Sequence, residues 1–358
     1  MNQRAGIGRL TRQLFQALFA LDHATDYRLL YAASPSSDLA AVPSQPNVVL
    51  RRLPFPERWQ TIAWHRFGLP LYADAAAGGV DVFHSPNFAL APVRRARTVV
   101  TVHDLTFVVR PECAVPSLRQ FLGRVVPASA RRADRVLADS KATADDLVRL
   151  YSVPAERVEV VYSAADERFR PMPEAEAESV LEGLDIPRPF ILTVGTLEPR
   201  KNVARLADAF LSLDIHHHLV VAGARGWLYE DILARLAREP RIHVLEGVSD
   251  SQLVALYNLA EVFAFASLYE GFGLPVLEAM ACGTPVASSN APCLPEIAGD
   301  AALLFDPEDT AAIAASVHRL ATEPALREEL RAAGLARAKR FSWQASAQQL
   351  KSIYESLA

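Results

Sequence analysis

Phe190-Ile-Leu-Thr-Val-Gly-Thr-Leu-Glu-Pro-Arg-Lys-Asn202 opens as an apolar, β-branched run, expected as a strand over 191–194. It breaks at Gly195, passes through a proline and two cations, and enters a helical pattern expected over 203–213. A strand that feeds a helix through a short loop is one βα unit, and such units build parallel sheets. Asn202 stands where a helix cap belongs, so the positive helix end, Arg200 and Lys201 gather at the carboxyl end of a strand, a place that suits phosphate. The competing reading is a solvated basic turn.

Working outward, the same alternation of short apolar runs and longer helical patterns predicts strands over 98–102, 136–138, 158–162, 219–222, 242–245, 262–266, 285–287 and 303–305. Both halves of the chain therefore read as α/β. A length of 358 residues exceeds one ordinary core and fits two domains. The break is expected in Asp166-Glu-Arg-Phe-Arg-Pro-Met-Pro173, a polar, proline-bearing stretch, which gives domains over 1–168 and 169–342. The end of the chain, 343–358, is helical in pattern, and periodicity alone does not say where it packs. Only five residues precede Gly6-Ile-Gly8, too few for a strand, so the first domain is expected to lack its first strand.

Hydrophobic residues make up 51% of the chain and charged residues 22%, the composition of a globular protein with a large core. A net charge of −4 argues against nucleic acid as a partner, which would call for a basic face. Three cysteines without C-x-x-C spacing suggest neither a disulfide framework nor a zinc site. No run of apolar residues long enough to span a bilayer appears, and the first residues do not read as a signal peptide. A cytoplasmic location is the expectation.

Two further segments carry chemistry. Tyr269-Glu-Gly-Phe-Gly-Leu-Pro-Val-Leu-Glu278 follows a strand; Gly271 and Gly273 let a loop approach a ligand, and Pro275 opens a helix. Glu270 and Glu278 can accept from two sets of sugar hydroxyls, although Glu278 also suits a positive helix end without any ligand. His103-Asp104 closes another apolar strand, where a lone histidine is either structural or ligand-facing.

The spacing Glu270-x7-Glu278, with Gly6-Ile-Gly8, His84-Ser-Pro86, His103-Asp104, Ala138-Asp-Ser140 and the Gly195 to Asn202 segment in order, resembles the retaining GT-B glycosyltransferases of family 4, of the bacterial mannosyl- and glucosyltransferase type. The resemblance implies two Rossmann-like domains facing each other across a cleft, with the final helix 343–358 packing back on the first. It implies that Arg200 and Lys201 bind the donor diphosphate, Glu270 the donor hexose, and Glu278 the ribose. Phe272, Gly273 and Leu274 would contribute amides to phosphate or sugar, Gly195 would line the donor site, and Val248, just before the capping box Ser249-x-x-Gln252, would meet the base. Gly6 and Gly8 would approach the diphosphate from the first domain, and His103 would face the sugar.

The implied activity is retaining transfer of a hexose, mannose or glucose, from a nucleotide sugar such as GDP-mannose or a UDP-hexose to a glycan or lipid-linked acceptor. No cofactor and no metal are expected: the chain has no Asp-x-Asp motif, and His216–His218 precede a strand rather than form a cage. Competing readings are a nucleotide-sugar epimerase or hydrolase of the same architecture, or an inactive sugar-nucleotide-binding protein. Arg94, Arg95, Arg97, Arg119, Arg124, Arg131 and Arg132 beside the apolar stripe Leu118, Phe121, Leu122 and Val125 suit either peripheral contact with an anionic membrane or a core-facing helix with solvated arginines.

Overall fold

Two parallel sheets and one short parallel pair organise the chain in a computed structural model, which describes residues 6–32, 45–53, 56, 59, 60, 62–66, 69 and 71–358. The chain forms two units: Met1–Leu105, Gln120–Ser163 and Ser342–Ala358 make the first, and Thr106–Arg119 with Ala164–Phe341 make the second. Residues 1–5, on which the expectation of an absent first strand bears, lie outside the described residues.

In the first unit the strands β1 (Tyr27–Ala32) and β2 (Val48–Leu53) pair in parallel. A four-stranded parallel sheet follows in the order β3 (Val82–Ser85), β4 (Arg97–Val102), β5 (Arg135–Ala138) and β6 (Val158–Val160). Helix Lys141–Tyr151 starts cleanly because Ser140 accepts from the Thr143 amide at 3.2 Å. The final helix, Trp343–Glu355, starts likewise on Ser342, which accepts from the Ala345 amide.

Its buried residues Trp343, Ser346, Ala347, Leu350 and Ile353 fall three and four apart, one stripe of an α-helix. That stripe joins Phe15, Leu18 and Phe19 of helix Gly6–Leu21 and Val99 and Leu137 of the sheet in one apolar core. Ser346 Oγ donates to the Tyr162 carbonyl and Gln349 Nε2 to the Val160 carbonyl. Burial of side chains such as Leu350 contributes about 1.5–3 kcal/mol each.

The second unit holds a six-stranded parallel sheet of β7 (Phe190–Val194), β8 (His218–Ala222), β9 (Ile242–Leu245), β10 (Val262–Phe265), β11 (Val286–Ser289) and β12 (Ala302–Phe305). Their spatial order is β12-β11-β10-β7-β8-β9. The sheet grows one way from β7 and the other way from β10, so those two central neighbours mark the point where strand order reverses. Loops leaving their carboxyl ends diverge there and leave a crevice for a ligand. Both strands are buried almost throughout, which is why they read as continuous apolar runs rather than alternating ones.

All nine expected strands are present within two residues at either end, and β1, β2 and β3 are additional. The expected helix over 203–213 runs as Val203–Leu211. The segment Thr106–Arg119, which groups with the second unit, carries no boundary mark in the sequence.

Candidate functional site

β7 delivers the chain to Gly195, which packs against Lys201: a side-chain carbon there would lie 3.2 Å from Lys201 Cδ and Cε. The neighbouring strand imposes a stricter demand. A Cβ on Gly223, just past β8, would stand 1.9 Å from the Gly195 carbonyl oxygen, so only glycine fits that approach. Pro199–Lys201 then form a single 3₁₀ turn.

Asn202 follows with φ 55°, and its side chain makes no cap hydrogen bond. The expected capping role is therefore corrected: Asn202 Nδ2 donates to the carbonyls of Ala266 and Pro307, at 3.1 and 2.8 Å. A capping residue is normally extended, whereas Asn202 is left-handed, a conformation that Asn tolerates better than most side chains. The bonds tie the loop after β7 to the ends of β10 and β12, and the Leu268 amide, donating to the Arg200 carbonyl at 2.8 Å, adds a second link to β10.

This tie brings Arg200, Lys201 and Glu270 together. Glu270 Oε2 lies 2.6 Å from Arg200 Nη1, and its Oε1 accepts from Lys201 Nζ and from Ser267 Oγ, both at 2.6 Å. Arg200 also pairs with Glu198, Nη2 to Oε1 at 2.6 Å, and donates from Nη1 to the Tyr269 carbonyl. Ser267 is itself fixed, its carbonyl accepting from Ser289 Oγ at 2.7 Å. Lys201 Nζ stands 5.0 Å from the centre of the Phe265 ring, a distance at which an ammonium is attracted to the ring face.

Burial disfavours the Glu270 carboxylate, but the charges of Arg200 and Lys201, with the hydrogen bonds from Lys201 and Ser267, outweigh it and hold the group at about 2. For Lys201 burial dominates, and the like charge of Arg200 adds to it, so its ammonium is pushed below the ordinary lysine value despite Glu270 and Glu198. A buried cation under that stress gains from a further anion beside it.

Beyond Glu270 the chain reaches Gly273 at φ 93° and enters helix Leu274–Cys282. A side chain at Gly273 would be strained by φ and would meet Leu294 Cδ2 at 2.4 Å. Phe272 and Leu274 flank this turn at the positive end of the helix. Glu278 lies one turn into the helix, 1% exposed, with Tyr257 donating its hydroxyl to Oε2 at 3.1 Å. Val248 follows β9, partly exposed, two residues after Glu246, which accepts three bonds from Arg225. The capping box Ser249 to Gln252 is formed as expected.

The remaining expected residues belong to the first unit. Gly6 and Gly8 open helix Gly6–Leu21 rather than a turn. His103 follows β4 and is 6% exposed; Asp139, just past β5, lies 2.8 Å from its Nδ1, and the Pro86 carbonyl lies 3.0 Å from Nε2. Leu10 and Thr11 of the glycine-led helix line a small cavity together with His103 and Asp139.

Four side chains bear on these groups without a role assigned to them from sequence: Glu198 and Asp139, which stand inside quoted segments, and Ser267 and Tyr257. Glu198 had a visible signal, a carboxylate two residues before the paired arginine at the same strand end. Ser267 acts from three residues before Glu270 in the same loop, Tyr257 reaches Glu278 from helix Asp250–Leu259, and Asp139 meets His103 through the pairing of β4 with β5.

Family patterns match both halves of the chain: "Glycosyltransferase Family 4" over residues 4–169 and "Glycosyl transferases group 1" over 176–337. The chain is 33% identical to the O-antigen chain mannosyltransferase B of Escherichia coli, over 98% of this chain and 96% of that one. The chain belongs to glycosyltransferase family 4. It is a hexosyltransferase, and relatives named for mannosyl transfer do not favour the epimerase, hydrolase or inactive-binder readings. The fold is GT-B. A sucrose-phosphate synthase from Thermosynechococcus elongatus superposes with a TM-score of 0.79 at 24% identity, covering 99% of this chain and 94% of that one. Anabaena Alr3699/HepE, solved in complex with UDP and glucose, superposes with a TM-score of 0.77 at 20% identity, covering 99% and 97%. No helix of the described residues is long and apolar enough to cross a membrane.

Proposed function

We propose that this family 4 enzyme moves mannose, with glucose second, from a nucleoside-diphosphate sugar to a glycan or lipid-linked acceptor with retention of configuration. GDP-mannose is the preferred donor on this reading. The observation that carries it is the contact of one carboxylate, Glu270, with two partly buried cations, Arg200 and Lys201, at the strand-order reversal of the second unit. The mannosyl preference draws on the near full-length similarity to a mannosyltransferase.

As the sugar–phosphate bond breaks, negative charge accumulates on the departing diphosphate. Arg200, Lys201 and the amide end of helix Leu274–Cys282 are aimed at such charge and lower the barrier more than they strengthen ground-state binding. They supply in fixed form the positive charge that a divalent ion provides elsewhere, so transfer proceeds without a metal or other cofactor. Glu270 positions the sugar hydroxyls, Glu278 accepts from the ribose, and Gly195, Phe272, Gly273, Leu274 and Val248 shape the donor site from the second unit. The acceptor attacks from the face the diphosphate leaves, and the leaving phosphate takes its proton.

The helix Pro116–Arg132 exposes Phe121 beside Arg119, Arg124 and Arg131, an arrangement that supports peripheral contact with anionic lipid at the inner face of the membrane. Co-sedimentation with anionic vesicles at low salt, abolished at high salt, tests it; no binding at low salt dismisses it.

A panel of GDP- and UDP-sugars, read by nucleoside diphosphate released with slow hydrolysis standing in for the acceptor, tests the donor. Release from GDP-mannose ahead of the rest is the expected result. Preference for a donor other than a hexose, or release that vanishes only when a divalent metal is removed, overturns it.

A further inference from the structure

His103 is flanked by two oxygens that can only receive. The Pro86 carbonyl, 3.0 Å from Nε2, has no proton to give, and the Asp139 carboxylate, 2.8 Å from Nδ1, has none when ionised. A neutral imidazole carries one N–H and one lone pair, so whichever tautomer forms, one lone pair would face an acceptor oxygen at hydrogen-bond distance. Only the imidazolium donates to both.

The arrangement is built into the sheet. β4 and β5 pair in parallel with Val102 beside Ala138, so the next residues on each strand, His103 and Asp139, leave the sheet side by side. The Phe88 ring stands edge-on to the imidazole with centroids 5.5 Å apart, and Thr143 Oγ1 donates to the His103 carbonyl, which leaves the ring little room to turn. His84, the other histidine lining this cavity, makes the opposite choice. Its ring nitrogens meet the hydroxyls of Tyr354 and Thr101 at 2.6 and 2.8 Å, partners that can give or receive, so a neutral ring is fully satisfied.

We infer that Asp139 is a positioning residue which, with the Pro86 carbonyl, fixes His103 as a doubly protonated imidazolium in the first unit.

The surrounding charges agree. Burial opposes the cation, but Asp139, by charge and hydrogen bond, then the Pro86 carbonyl and the Asp104 charge, raise His103 above the ordinary 6.5. Burial first, and the His103 charge second, push His84 down to about 3. A raised histidine stabilises the fold fully below 6.5 and ceases to do so as pH rises through its own higher value. His103 thus has no basic nitrogen to offer. On the transferase reading it is a fixed positive charge and does not take the acceptor's proton.

The test is ring-nitrogen NMR on the full chain labelled in histidine, with the His103 signals assigned by their loss in His103→Gln. At about pH 7.5 both His103 nitrogens should be protonated, and Asp139→Asn should lower the titration midpoint by at least about one pH unit. A bare His103 nitrogen in the wild type at that pH overturns the inference; an unmoved midpoint in Asp139→Asn removes Asp139 from it. Should that variant fail to fold, Asp139→Glu, which keeps the carboxylate, must retain the wild-type midpoint, and a midpoint back at the ordinary value is equally fatal. Activity gives a second readout: the alkaline limb of kcat/KM should move to lower pH in Asp139→Asn. Failure of the transferase reading looks different, with no nucleoside diphosphate released by either protein at any pH while the NMR result stands.

Discussion

Glu270 accepts from Lys201 Nζ at 2.6 Å and meets Arg200 Nη1 at the same distance, so one carboxylate answers two cations. A diphosphate that binds through those cations competes with Glu270 for them. Glu270→Gln keeps the shape and removes the competing charge. We expect this variant to bind free GDP or UDP about fivefold more tightly, roughly 1 kcal/mol, while turning the donor over more slowly. Calorimetry decides it, and weaker nucleotide binding refutes the competition.

Removing the cations should have the opposite effect on the nucleotide. Arg200→Ala with Lys201→Ala, and separately Glu270→Ala, should each reduce donor turnover at least about a hundredfold, the scale for losing a preorganised charge contact. Near-normal rates in both would sink the site assignment.

Glu270 also makes stability depend on pH. Its folded value of about 2 lies below the ordinary 4.5, so its ionised contribution is complete above 4.5 and fades as pH falls toward 2. The stability difference between wild type and Glu270→Gln, measured by denaturant titration, should shrink across that window. A difference that stays constant from pH 5 to pH 2.5 contradicts the assigned pairing.

Gly223→Ala places a methyl 1.9 Å from the Gly195 carbonyl oxygen and must displace the loop that carries Arg200 and Lys201. A loss of at least about 2 kcal/mol is expected, read as a fall in Tm of about 4–8 °C. An unchanged Tm would mean the loop yields freely.

What the sequence disclosed follows from which interactions are local. The strands β7, β8 and β10 are buried on both faces and announce themselves as unbroken apolar runs. β2, Val-Val-Leu-Arg-Arg-Leu, exposes most of its residues and among the described residues pairs only with β1, so no apolar run marks it. Glu270, Arg200 and Lys201 were legible because each stands where an apolar run stops. Asp139 stands at such a point too, in Ala138-Asp-Ser140, but its pairing with His103 was not legible, since the bond crosses 36 residues and depends on strand register. Asn202 misled for a local reason: a left-handed backbone reverses the side chain's customary use as a cap, and composition does not reveal φ.

The final helix packs in the same core as Gly6–Leu21 and the first sheet, so the second unit is in effect an insertion within the first. Ribosomal synthesis runs in one direction, and Ala347, Leu350 and Ile353 emerge after the whole six-stranded sheet. The first unit thus waits for its last wall while the second can already close. Bringing Phe15 and Leu350 together joins a loop of more than three hundred residues, yet loop entropy rises only logarithmically, by about 0.6 kcal/mol for each doubling. The delay therefore costs the newborn chain time with an exposed apolar face more than it costs the finished fold stability, and a nascent chain stalled before Trp343 should need a chaperone for its first unit alone.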